Sequence, residues 1–163
     1  MTPEQQGAIE SVAGRILTAG ELVAIDSLLA DRNDVQMASI ISAGRIRVVS
    51  HLIGERGILD VLGPVAGDAF LAALEAITAD NLPAALQPYF GALRRGVAWL
   101  KTDGLDVGSE TTRSLLDSLA AAGVVAQESV ASIKALAERA DPIHYNLLSD
   151  ALNIAEGRMT LGG

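Results

Sequence analysis

The chain of 163 residues contains no cysteine, which excludes disulfides, thiolate metal ligands and thiol catalysis. Aromatics are almost as scarce: one tryptophan, two tyrosines and two phenylalanines, although half of the residues are hydrophobic. A core must therefore be built from aliphatic side chains, and the Ala/Leu bias among them favours helices that approach closely. Positive charge is in deficit, with 12 Lys and Arg against 20 Asp and Glu, a formal net charge of −8 and a pI near 4.6. Such a surface repels phosphate backbones and anionic bilayers, so neither nucleic acid nor a membrane is an expected partner. No apolar run approaches the ~20 residues of a membrane span. The opening MTPEQQGAIES is polar and acidic, unlike a secretory leader, which sets the expectation of a soluble protein made in the cytoplasm.

Chemistry-bearing patterns are missing as well. His51 and His144 are the only histidines, and neither has a partner at a helical metal-ligand spacing. The sixteen glycines are scattered without a phosphate-cradling motif. The serines lack the G-x-S-x-G setting of an activated nucleophile. KTDGLDVGSE carries Asp103, Asp106 and Glu110, but it lacks the alternating ligands of a calcium loop and reads as a turn with helix-capping residues. The expectation is a non-enzyme with no catalytic residue, no cofactor, no metal and no small-molecule substrate.

What is present is three- and four-residue apolar spacing along nearly the whole chain. It predicts a single all-α domain of about eight short helices over 1–156, followed by a flexible tail at 157–163. Pro3 suits a first helical turn, and Asn33 or Asp34 suits the cap of a third helix that Gly44 ends. Ile46 to Val48 belongs to the only β-favouring run; it reads as an extended connector packed by Ile46 and Val48. Ser50 is then expected to cap a helix over 51–62, which Gly63-Pro64 breaks and restarts. Further helices are expected at 65–79, 83–101, 109–122, 126–139 and 142–156. Pro88 kinks the second of these or marks its true start. Trp99, Tyr89 and Phe90 fall on that helix and are expected in the core.

Laying 19–43 over 126–150 without gaps reveals an internal similarity. Glu21, Val23, Ala24, Leu29, Arg32 and Asp34 are among the residues that meet an identical partner. Each segment reads as helix, Arg-x-Asp turn, helix, so related αα-hairpins are expected near the two ends. Between them lies a stretch that concentrates cations in an acidic protein: Arg45, Arg47, His51 and Arg56. Arg45, just after Gly44, suits closure of a helix end, with local acids such as Asp31, Asp34, Glu55 and Asp60 to pair with. Arg47, Arg56 and His51 are the candidate partner contacts, a local basic lip for an acidic protein surface.

Asp34 to Arg45 (D-x-x-x-A-S-I-I-S-A-G-R), VSHLIGERGILDVLG from Val49 to Gly63, Leu-Asp-Val-Gly from Leu105 to Gly108 and ASIKALAERADPIHYNLLSDALN from Ala131 to Asn153 follow one another in order. This arrangement resembles a group of small proteins encoded among the virion and tail-fibre genes of tailed bacteriophages. The similarity runs from about Asp31 onward and rests on small and apolar residues. It implies a virion structural or adaptor protein near the tail or its fibres, acting on other virion proteins or on further copies of itself, and it assigns no catalytic residue. A phage accessory protein that stays outside the particle and binds, regulates or inhibits a host protein fits the same composition.

Overall fold

The computed structural model describes residues 1–159, and over them the chain is mostly α-helical. In order come α1 (Pro3–Ala13), α2 (Ala19–Leu29), α3 (Asp34–Ser42), β1 (Ile46–Val48), β2 (Leu52–Ile53), α4 (Glu55–Leu62) and α5 (Pro64–Glu75). A 3-10 helix at Ala84–Tyr89 leads into α6 (Phe90–Lys101), then β3 (Leu105–Asp106), α7 (Glu110–Ala121), α8 (Gln127–Ala135), β4 (Glu138–Ala140) and α9 (Tyr145–Ala155). Local chemistry sets many of these boundaries. Thr2 and Thr18 each open a helix with a capping box, their hydroxyls accepting from Gln5 N and Glu21 N while those two side chains return a bond to the cap. Asn33 caps α3 through Gln36 N. Gly63, at φ 80, turns the chain so that Pro64 can start α5. Pro88 lies within the 3-10 helix, and α-helical bonding begins only after it.

The chain divides into two compact units. The first combines Met1–Arg47 with the described part of Ala140–Gly163; the second is the continuous segment Val48–Arg139. Each has a separate aliphatic core. In the first, Ile9 and Ala13 of α1, Ile25 of α2, Met37 and Ile41 of α3, and Leu148 and Leu152 of α9 close together. A polar network sits on this unit: Arg32, held at φ 51, reaches Glu156 at 2.7 Å and Asn153 at 3.1 Å, and Gln5 Nε2 donates to the same Glu156 at 2.9 Å. In the second unit Ile58, Phe70, Leu93, Leu116, Val130 and Ile133 contribute to a core drawn from α4 to α8. Gly67 of α5 lets that helix press on α4, because a Cβ there would lie 2.9 Å from Leu59 Cα.

Several expectations need correction. Ile46 to Val48 is a strand with a partner, β4, whose residues the apolar spacing had placed at a helix end. All three β1 residues are exposed, so Ile46 and Val48 do not pack it down. The helix expected over 51–62 begins at Glu55, since Leu52 and Ile53 form β2 and pair antiparallel with β3 (Leu52 opposite Asp106, Ile53 opposite Leu105). Of the expected tail, Gly157, Arg158 and Met159 complete a turn bonded to Ile154 O and Asn153 O, and 160–163 lie outside the described residues.

The two similar segments also diverge. Residues 19–43 form the hairpin α2–α3, whereas 126–150 is helix, strand, helix, with α8 in one unit and α9 in the other. The identical pair Val23 and Val130 sits in opposite environments, 73% and 2% exposed. Shared composition therefore serves different packing, and related hairpins are not found. Val130→Ala should lower stability by about 2 kcal/mol through lost burial and a residual cavity. Val23→Ala should stay within about 0.5 kcal/mol of the parent. Urea unfolding of the two variants measures both.

Candidate functional site

Within the cationic stretch 45–56 each arginine has its own fate. Arg45, half-buried in the first unit, donates from one guanidinium nitrogen to Ala13 O at 2.8 Å, from Nε to Asp141 O at 3.3 Å, and from the other nitrogen to Asp141 Oδ2 at 3.0 Å. It closes a helix end as the sequence suggests, but the carbonyl is that of α1 rather than α3, and its acid is Asp141 rather than the nearer Asp31 or Asp34. Arg47 and Arg56 are exposed and, among the described residues, meet no carboxylate. The candidate contacts are not gathered in one unit: Arg47 ends the first segment of unit one, while His51 and Arg56 belong to unit two. His51 engages through its backbone, donating its N–H to Asp106 and accepting from Val107 N.

Asp106 gives the Leu-Asp-Val-Gly motif its meaning. One carboxylate oxygen accepts from His51 N at 2.9 Å and Gly108 N at 2.8 Å; the other accepts the Ser50 hydroxyl at 2.8 Å. These bonds, led by the one from His51, hold the carboxyl below its ordinary range. Ser50 thus fastens a loop instead of capping a helix. Val107 is fully buried behind the clamp. Gly108 passes so close to the facing chain that a Cβ would sit 2.0 Å from Val49 O. The motif is a fastening of β2, β3 and the loops beside them.

A concave site lies between α6 and α7, with Leu105 of β3 in its wall. Its floor is Leu74, Leu93, Leu100, Leu116 and Leu119, and its volume is about 250 Å³. Gly96 keeps it open. A Cβ there would only reach ordinary contact with Leu105 Cδ1 at 3.8 Å, so the absent side chain is space rather than a packing necessity. Arg95 and Trp99 stand at the mouth on α6, with Thr111 and Thr112 across on α7. Trp99 is 49% exposed and Tyr89 is exposed too, against the expectation that both pack the core; Phe90 is partly buried against it. The site was missed because Leu93, Val97 and Leu100 read as an ordinary buried stripe. The available signal was α6 itself, FGALRRGVAWLK, where three cations and an interior glycine occur with no acid.

Among the described residues no cluster of His, Asp and Glu fit for a metal occurs, and no helix is long and apolar enough to cross a membrane. No family model, curated protein or solved structure matches the chain.

The Asp106 clamp generates a pH prediction. Its folded carboxyl is depressed relative to about 3.9 in an unfolded chain, so its contribution is complete above that value. It is lost as pH falls through the lower folded value. Asp106→Asn should cost about 1–2 kcal/mol at pH 7, and the gap from the parent should narrow as pH drops below 4, read by urea unfolding across pH. Gly108→Ala should cost about 3 kcal/mol at any pH, because the obstacle is backbone and cannot rotate away. Arg45→Ala should cost about 1–2 kcal/mol, whereas Arg47→Gln and Arg56→Gln should each stay within about 0.5 kcal/mol.

Proposed function

We propose that the chain is a non-catalytic structural or adaptor protein of a tailed-bacteriophage particle, near the tail or its fibres, that works through protein contacts. The observation that carries the contact role is apolar surface on both units. Ile16 and Val65 are each 83% exposed, and Val23, Val35 and Leu147 on the first unit and Leu52 on the second are exposed as well. Single exposed aliphatics are common, but this many on a small protein suit surfaces that a partner covers. The phage assignment rests on the resemblance of Asp34–Arg45, Val49–Gly63, Leu105–Gly108 and Ala131–Asn153 to virion-gene products.

Arg47 and Arg56 complement this reading. In a protein of net charge −8, exposed arginines that meet no carboxylate among the described residues suit acidic residues of another chain, and charges at the edge of an interface steer association. His51 lies in the same stretch as Arg56 and is partly exposed.

Mass spectrometry of purified particles tests particle membership, and the expected result is recovery of the chain at a fixed copy number. Its absence from particles, together with co-purification of a host protein from infected cells, would establish the accessory role instead. A variant carrying Arg47→Gln, His51→Gln and Arg56→Gln should keep the parent circular dichroism spectrum. Its association with the particle partner should weaken several-fold at low ionic strength, and the difference from the parent should shrink as salt screens the charges. Unchanged association at every salt concentration would show that none of these three residues contributes to partner contact.

A further inference from the structure

We propose that the α6–α7 cavity is a binding site for a single aliphatic chain that ends in a carboxylate, a medium-chain fatty acid in chemical class. Shape is the first argument. A floor of five leucines beneath a half-open mouth, with about 250 Å³ of space, falls below the ~300–1,000 Å³ of drug-sized sites. It therefore admits a small apolar body such as one slim alkyl chain and excludes a drug-sized ligand.

Charge is the second. Seven of the 12 Lys and Arg face a carboxylate: Arg15 with Glu21, Arg32 and Arg158 with Glu156, Arg45 with Asp141, Lys101 with Glu75, Arg113 with Glu138 and Lys134 with Asp117. Arg95 has no such partner among the described residues, and it stands at the mouth of an apolar cavity beside Arg94 on the same helix. Glu110, which precedes the two threonines on α7, lines a different cleft with Arg113 and Asp117. Arg95 is thus the one charged residue lining this cavity, a cation in a protein that is acidic as a whole. The third argument is the polar complement: Thr111 and Thr112 line the same cavity as Arg95, and threonine hydroxyls can donate to a carboxylate. An apolar body with one anionic end satisfies all three features together, and Gly96 leaves the room for its chain.

Trp99, the only tryptophan, reports occupancy directly because an alkyl chain in the mouth shields its indole from water. The test is titration of the whole protein with sodium decanoate below its micellar concentration, followed by Trp99 emission and by calorimetry. Butanoate, decyltrimethylammonium and an acidic leucine-containing peptide serve as comparison ligands. The expected result is saturable one-to-one binding of decanoate with a blue shift of Trp99. Butanoate and decyltrimethylammonium should each bind at least tenfold more weakly. Arg95→Gln, on the exposed rim, should weaken decanoate at least tenfold while leaving the circular dichroism spectrum unchanged. Gly96→Leu should fill the cavity and abolish binding; should that variant unfold, Gly96→Val provides the same block with a smaller side chain. Absence of saturable decanoate binding overturns the proposal. So does equal binding of the decyl cation, insensitivity to Arg95→Gln, or binding of the acidic peptide alone.

Discussion

The fastening of β2 to β3 in the second unit depends on one carboxylate. Asp106 gathers Ser50, His51 and Gly108 onto its two oxygens, and in doing so ties together two chain segments more than fifty residues apart in sequence. Strands of two residues have too few ladder bonds to hold a register unaided. The register of β2 against β3 is supported by that clamp and by the close pass of Gly108 under Val49. Further structure follows from it. Ile53 and Val107 enter the core beside the clamp, and Leu105 is set into the wall of the α6–α7 cavity. A loop fastening thereby shapes a concavity it does not itself line.

Much of the helical architecture was legible in the sequence because its determinants are local. Pro3 in a first turn, the cap at Asn33, the break at Gly63-Pro64 and the late start imposed by Pro88 all act within a few residues. The strands were not legible for the opposite reason. Glu138–Ala140 carries no β-favouring pattern, and its pairing with Ile46–Val48 joins positions about ninety residues apart, which periodicity does not register. The similarity between 19–43 and 126–150 misled in a related way. It rests on alanine, leucine and capping types that any short amphipathic helix uses, and it is blind to which face is covered.

The candidate contacts were legible only in part. That Arg45 closes a helix end followed from its place after Gly44, but its true acceptors, Ala13 O and Asp141, belong to distant stretches of chain. Arg95 and Trp99 were hidden by an assumption about coverage. Helical spacing identifies one face of α6, yet Trp99 adjoins Leu100 in sequence and falls at the edge of that face, where only the neighbouring helix decides between burial and water.

The first unit is discontinuous in sequence, and this has a consequence for synthesis. Leu148 and Leu152 of α9 complete the core that α1, α2 and α3 begin, so a ribosome releases those three helices long before the side chains that close over them exist. The continuous segment Val48–Arg139 suffers no such delay. The order of maturation is thus reversed relative to the usual amino-to-carboxyl progression: the middle of the nascent polypeptide is able to consolidate first, while its leading end waits, apolar faces uncovered, for the last helix to emerge. Until α9 emerges, the apolar faces of α1, α2 and α3 stay open to chaperones, proteases and stray association.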